Sequence, residues 1–278
     1  MKDLSKKAVL VNLKMRIWSG KKDDRKVAND IELQHQATNA GRYKKNLIND
    51  TELKEVYNRA QSVRKFVREQ TLPWGDNGAR ILPAIHHMSF MRDFQEEQFQ
   101  FEDAVATFVK AYPARVKEAP GRLNGLYRAS DYPPAKNIHK KFQLKLDCEA
   151  IADLDDFRLQ VDEQEVIRLR EEMEKDYAQK IADATKDIWG RIKDTVGHMV
   201  DKLSDKKARF HDSLVNNIGE LVDLLPKLNI TGDKDIDLAV ADMKKLLVDP
   251  DNLRRNKRFR SQTAKEAQAI LEKFGTYM

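Results

Sequence analysis

The stretch EQEVIRLREEMEKDYAQKIADATKDIWGRIKDTVGHMVDKL, Glu163 to Leu203, decides the fold. Within it Val166, Leu169, Met173, Tyr177, Ile181, Ala184, Ile188, Ile192, Val196, Met199 and Leu203 recur at intervals of three or four. Ten steps cover 37 residues, 3.7 per step, which is the repeat of one face of a continuous α-helix. Such a helix would be about 55–60 Å long. A period above 3.5 favours straight or slightly right-handed packing over a left-handed heptad coiled coil. The stripe must be buried, by later helices of the chain or by another protomer. A helix expected to begin near Lys206 covers only half of it. The stripe therefore predicts a homo-oligomer, with Met173, Ile181, Ile188, Ile192 and Met199 at the contact.

Downstream, Phe210, Leu214, Ile218, Leu221 and Leu225 form the inward face of that next helix, which ends at Pro226. Two shorter helices follow. Asp235–Leu247 starts after Thr231-Gly232-Asp233, and Ala264–Phe274 starts at a capping box of Thr263 and Glu266. Residues 159–278 thus read as a long-helix hairpin or bundle. Residues 1–158 read differently. Val9, Leu10, Val11, Leu13, Met15 and Ile17 alternate with Asn12, Lys14 and Arg16, a strand ending near Ser19-Gly20. Phe142, Leu144, Leu146 and Cys148 alternate in the same way, so the two strands should pair, with a third near Arg80–Leu82. Helices are expected at Asp24–Ala37, at Thr51–Glu69 with Leu53, Val56, Ala60, Val63 and Val67 inward, and at Phe94–Tyr112. Pro113, Pro120-Gly121 and Pro133-Pro134 should then cut the chain into short pieces. The fold class is mainly α (α+β): a basic region with a small sheet, then a helical region built on the rod.

Composition agrees. Charged residues are 35% of 278 and mean hydropathy is −0.69, which suits long exposed helices. Eleven Gly and eight Pro are too few for an all-β fold. The single cysteine, Cys148, excludes an intrachain disulfide and fits a reducing compartment. No run of 18 apolar residues exists, so no membrane span is expected. The first eleven residues start like a signal peptide, but Asn12, Lys14 and Arg16 interrupt the apolar stretch and no small-residue cleavage site follows. A cytoplasmic location is expected.

The residues that carry chemistry are sparse. There is no phosphate-binding Gly-x-x-x-x-Gly-Lys-Ser/Thr loop and no Gly-x-Gly-x-x-Gly turn; Gly75 and Gly78 read as a turn needing positive φ. His86 and His87 lack further ligands at metal-binding spacing. Asp153, Asp155, Asp156 and Asp162, and again Asp233, Asp235 and Asp237, precede helices and are explained by capping and the helix dipole. A hydrolase using Asp153–Asp156 is the weakest alternative. Cys148 falls on the apolar side of its strand, as a buried thiol does. No cofactor or metal is expected, and the chain reads as a non-enzyme.

Two basic clusters remain. The first is Lys2, Lys6, Lys7, Lys14, Arg16, Lys21 and Lys22, extended by Lys44, Lys45, Arg64, Lys65 and Arg68; the second is Arg254, Arg255, Lys257, Arg258 and Arg260 around Phe259. Cations with an interleaved ring are what a phosphate backbone and a stacked base require. The candidate DNA or RNA contacts are Lys14, Arg16, Lys21, Lys22, Arg254, Arg255, Lys257, Arg258 and Arg260, with Phe259 and Trp18 for stacking.

Several segments together resemble a family of phage, prophage and mobile-element proteins defined only as a domain of unknown function. They are Leu72–Pro83 (LPWGDNGARILP), Ala111-Tyr112-Pro113, Ser130-Asp131-Tyr132-Pro133, Arg209–Asn217 (RFHDSLVNN) and Leu224–Ile230 (LLPKLNI). The resemblance carries no catalytic signature. It implies context: genes near phage replication or recombination genes, or near MoxR-like ATPase and von Willebrand A-type genes. Two functions follow as expectations. One is a bacteriophage accessory protein that oligomerises through the rod and binds nucleic acid. The other is a protein-interaction adaptor, for an AAA+ ATPase or a virion component, with no nucleic-acid role.

Overall fold

The computed structural model describes residues 4–49, 51–75, 77–152, 163–205 and 207–277. About 70% of the chain is helical, beside a small sheet. In chain order the elements are α1 (Leu4–Lys7), β1 (Ala8–Arg16), β2 (Lys21–Asp23), α2 (Arg25–His35), β3 (Lys44–Asn46), α3 (Thr51–Gln70), β4 (Leu72–Pro73), β5 (Arg80–Pro83) and α4 (Ala84–Leu123). After 3-10 turns come β6 (Gln143–Ala150), α5 (Glu163–Ser204), α6 (Ser213–Leu228), α7 (Lys234–Met243), α8 (Pro250–Arg255) and α9 (Lys257–Lys273). The main sheet has the order β4-β5-β1-β6. β5 runs antiparallel to both β1, with Leu10 opposite Ile81, and β4, with Leu72 opposite Ile81. The two alternating strands of the sequence are therefore neighbours, and the third strand lies at 80–83 as expected.

The sequence divides at about residue 158, whereas the compact units interleave. The first is Met1–Asn12, Arg68–Met91 and Asp147–Met278; the second is Leu13–Val67 and Arg92–Leu146.

In the first unit α5 is one helix over the expected span. Ile188, Ile192, Val196, Met199 and Leu203 are buried among Ile218, Leu225, Met243, Ala267 and Ile270. Trp189 stacks on Phe274 (5.4 Å) and Tyr277 (4.9 Å). The stripe from Tyr177 to Leu203 is thus covered within the chain. Ile188, Ile192 and Met199, expected at an oligomer contact, are at most 2% exposed in this core. Ile181 packs against the same core, leaving Met173, half-buried, outside it. The reason is α9. It starts at Lys257, capped by the Asn256 side chain, which accepts from Phe259 N (3.0 Å), and so is long enough to cover α5 beside α6. Thr263, expected as the cap, is an interior residue whose hydroxyl donates to Phe259 O (3.1 Å). α6 begins at Ser213 rather than near Lys206 and runs past Pro226 to Leu228; Lys206 lies outside the described residues.

The C-terminal carbonyls of α3, orphaned as at every helix end, accept from two arginines. Arg191 donates to Arg68 O, Glu69 O and Thr71 O, and Arg80 to Arg68 O and Thr71 O. Gly75 and Gly78 adopt φ of +77° and +82°, as the β4–β5 turn requires.

In the second unit the expected face of α3, Leu53, Val56, Ala60, Val63 and Val67, is buried as read. It shares a core with Phe101, Phe108 and Tyr112. Gly20 sits at φ +64° with Leu53 where a Cβ would be, 2.7 Å away, so only glycine fits that turn. α4 is not cut by Pro113 or Pro120; it runs through both. Each proline removes one helical hydrogen bond and crowds the preceding turn, at about 3 kcal/mol. Burial of Tyr112 and Ala119 beside them holds the helix together.

Candidate nucleic-acid interface

In the second unit, β2 and β3 form a two-stranded ribbon with Lys22 opposite Lys45 and Asp23 opposite Lys44. Along β3 the side chains alternate: Lys44 and Asn46 are exposed and Lys45 turns inward. Its ammonium donates to Asp24 Oδ2 and Leu126 O and forms an ion pair with Asp131 Oδ2, each at 2.8 Å. Burial alone would push Lys45 down. The hydrogen bonds to Asp131 and Asp24 outweigh it and hold the group above its ordinary value. The hydrogen bond from Lys45 in turn holds Asp24 below the usual carboxylate range, against its own burial. Asp24 also caps α2, accepting from Val27 N. One carboxylate therefore ties the ribbon to the start of the helix.

Above this clamp lies a basin of about 390 Å³ lined by Lys22, Asp23, Arg25, Lys26, Arg128 and the clamp itself. Lys22, Arg25, Lys26 and Arg128 are exposed; with Lys45 they set five cations against the three carboxylates of the lining, Asp23, Asp24 and Asp131. Arg25 and Lys26 occupy the first turn of α2, which holds no acid. Cations there face the positive end of the helix dipole, an arrangement that an anion would relieve.

The sequence-derived contacts divide sharply. Lys14, Lys21 and Lys22 are exposed; Arg16 is exposed and donates to Lys140 O (2.9 Å). Lys45, read as an extension of the surface cluster, is instead the buried clamp. Trp18, read as a stacking ring, packs edge-on against Tyr112 (5.5 Å) and beside Phe108 (6.0 Å).

In the first unit Arg255, Lys257 and Arg258 are exposed. Arg254 pairs with Asp251 (2.7 Å) and with Asp212, and lies over the Phe210 ring. Arg260 donates to Leu203 O (3.0 Å), Lys202 O (2.7 Å) and Asp205 O (2.5 Å), closing the C-terminus of α5, and its guanidinium also lies over the Phe210 ring, at 5.2 Å. Phe259 is half-buried and packs against the core. Arg254, Arg260 and Phe259 therefore serve the fold.

Arg25, Lys26 and Arg128 are absent from the sequence-derived contacts. An N-cap Asp followed by two cations, where helices usually place acids, is a signal that could have found the first two; nothing local marks Arg128.

His86 is buried in the first unit, its ring nitrogens bonded to Gln70 Oε1 (2.8 Å) and Ser89 Oγ (2.9 Å). Cys148 is exposed rather than buried, because the β6 face carrying it is open at that end. Partial desolvation and the Asp147 charge push its thiol up, away from a reactive thiolate. Asp233 accepts from Asp235 N (2.8 Å), the capping role expected of that acidic group. Asp153, Asp155, Asp156 and Asp162 lie outside the described residues. Among the described residues no group of His, Cys, Asp and Glu could hold a metal ion, and no helix is long and apolar enough to cross a membrane.

No protein-family model matches the chain, and neither a curated protein nor a solved structure matches it.

Proposed function

We propose that this chain is a non-enzymatic accessory protein that holds nucleic acid by its phosphate backbone, with the α2 basin as the contact. The observation that supports it is the ring of four exposed cations, Lys22, Arg25, Lys26 and Arg128, around the positive end of a helix. The basin lining contains no aromatic ring, so the contact reads charge and not bases. Binding is then tolerant of sequence and steep in salt. From the phage and mobile-element resemblance read in the sequence, we propose that this activity serves replication or recombination in the cytoplasm of an infected cell.

Fluorescence anisotropy on labelled single- and double-stranded DNA and RNA across a salt series tests this. The double variant Lys22→Glu/Lys26→Glu should weaken duplex binding and lower the magnitude of the salt slope by about one for each phosphate no longer neutralised. Wild-type protein that binds none of the four probes at low salt, or a variant with an unchanged slope, would remove the basin from the reading.

A further inference from the structure

A concavity of the first unit runs along α9. It encloses about 750 Å³ and is lined by Lys257, Arg260, Ser261, Ala264, Lys265, Gln268, Ala269 and Glu272 of α9, by Val200, Leu203 and Ser204 at the end of α5, and by Arg254. The α9 residues recur at intervals of three and four from 257 to 272, so the trough follows one helical face for about 22 Å. That length matches about four turns of a second helix. Its floor is small or apolar, Ala264, Ala269, Val200 and Leu203, which lets a helix approach closely.

The charge is polarised. Arg254, Lys257 and Arg260 lie at the end nearest the start of α9, Lys265 midway along it, and Glu272, bonded to Gln268 (3.0 Å), at the other end. Arg254 is neutralised by Asp251 and Asp212, and Arg260 keeps its charge because its acceptors are neutral carbonyls. Lys257 and Lys265 make no ion pair among the described residues.

We infer that this trough is a docking site for an acidic amphipathic helix of a partner protein. Acids on such a helix meet Lys257 and Lys265, while its apolar stripe covers the floor. A nucleic-acid backbone fits less well: it has nothing to set against an alanine-lined floor, Glu272 repels it, and no free ring is present to stack a base. This inference stands apart from the basin of the second unit.

The test uses the full chain and labelled peptides of about 18 residues that share one Leu–Ala stripe and are otherwise rich in Glu, in Lys, or in Ser and Gln. The Glu-rich peptide should bind at least about tenfold more tightly than the Lys-rich one. Lys257→Glu/Lys265→Glu should reduce that binding about tenfold or more without altering the far-ultraviolet circular dichroism, since a Glu at the first position of α9 suits the helix dipole. Ala269→Arg, which fills the floor, should also weaken it. Equal binding of the Glu- and Lys-rich peptides, or no binding of the Glu-rich peptide at millimolar concentration, overturns the inference. So does loss of duplex DNA or RNA binding in the double variant while peptide binding persists, because that result gives the trough to nucleic acid.

Discussion

The two units use charge in opposite ways. In the first, the core is a layer of helices with apolar stripes, and its arginines finish helices: Arg260 closes α5, while Arg191 and Arg80 close α3. In the second, a lysine is buried between two aspartates, and that burial leaves the neighbouring cations outside, around a basin. Both units contain a dense basic run, and the runs look alike as sequence. What separates them is what lies opposite. Carbonyls at a helix end draw an arginine inward, whereas a strand pairing that buries one lysine presents its neighbours to solvent.

The largest effect that probes this contrast is on the apolar side. Ile192→Ala, at a position with no exposure, should lower unfolding free energy by about 4 kcal/mol through reduced burial and a residual cavity. Met173→Ala, on the same stripe but outside the core, should cost less than about 1 kcal/mol. Urea unfolding of the two variants checks this. Equal destabilisation would show that the upper stripe is as well covered as the lower, as an oligomer that buries Met173 would make it.

Next is the clamp. Lys45→Ala leaves two carboxylates without their cation and should cost about 3 kcal/mol, the low end for a broken buried pair because the cluster borders an open basin. Its pH dependence has a definite sign. Asp24 is held below its ordinary 3.8, so its contribution is present above that value and drains away as the pH falls through the lowered one. Lys45 is held above its ordinary 10.5, so its contribution is present below that value and is lost as the pH rises through the raised one. The stability gap between wild type and Asp24→Asn should be flat from about pH 5 to 9 and narrow below about 3.8. A gap that persists undiminished to about pH 2.5 would mean the pair does not stabilise the fold.

The smallest effect concerns the helix-closing arginine. Arg260→Ala should cost about 2 kcal/mol by leaving the last carbonyls of α5 unpaired, whereas Arg258→Ala, exposed two residues earlier, should stay within about 0.5 kcal/mol. Thermal unfolding distinguishes them. Equal shifts would make the second basic run a uniform surface after all.

By itself the sequence determined whatever depends on local periodicity. The 3.7-residue repeat placed α5 almost to the residue, the inward face of α3 matches its spacing, and the matched alternations paired the strands, because side-chain period follows directly from backbone geometry. Only the tertiary structure decided what the repeats pack against. Pro113 and Pro120 stay inside α4 because buried neighbours offset their local cost. α9 extends back to Lys257 and packs on the C-terminal part of the stripe, where Ile188, Ile192 and Met199 lie. Lys45 and Arg260 turn inward, while Lys22, Lys26, Lys257 and Lys265 stay out. A lysine or arginine is equally polar in any sequence; whether it is a surface or a clamp depends on which carboxylates and carbonyls the fold brings within about 3 Å.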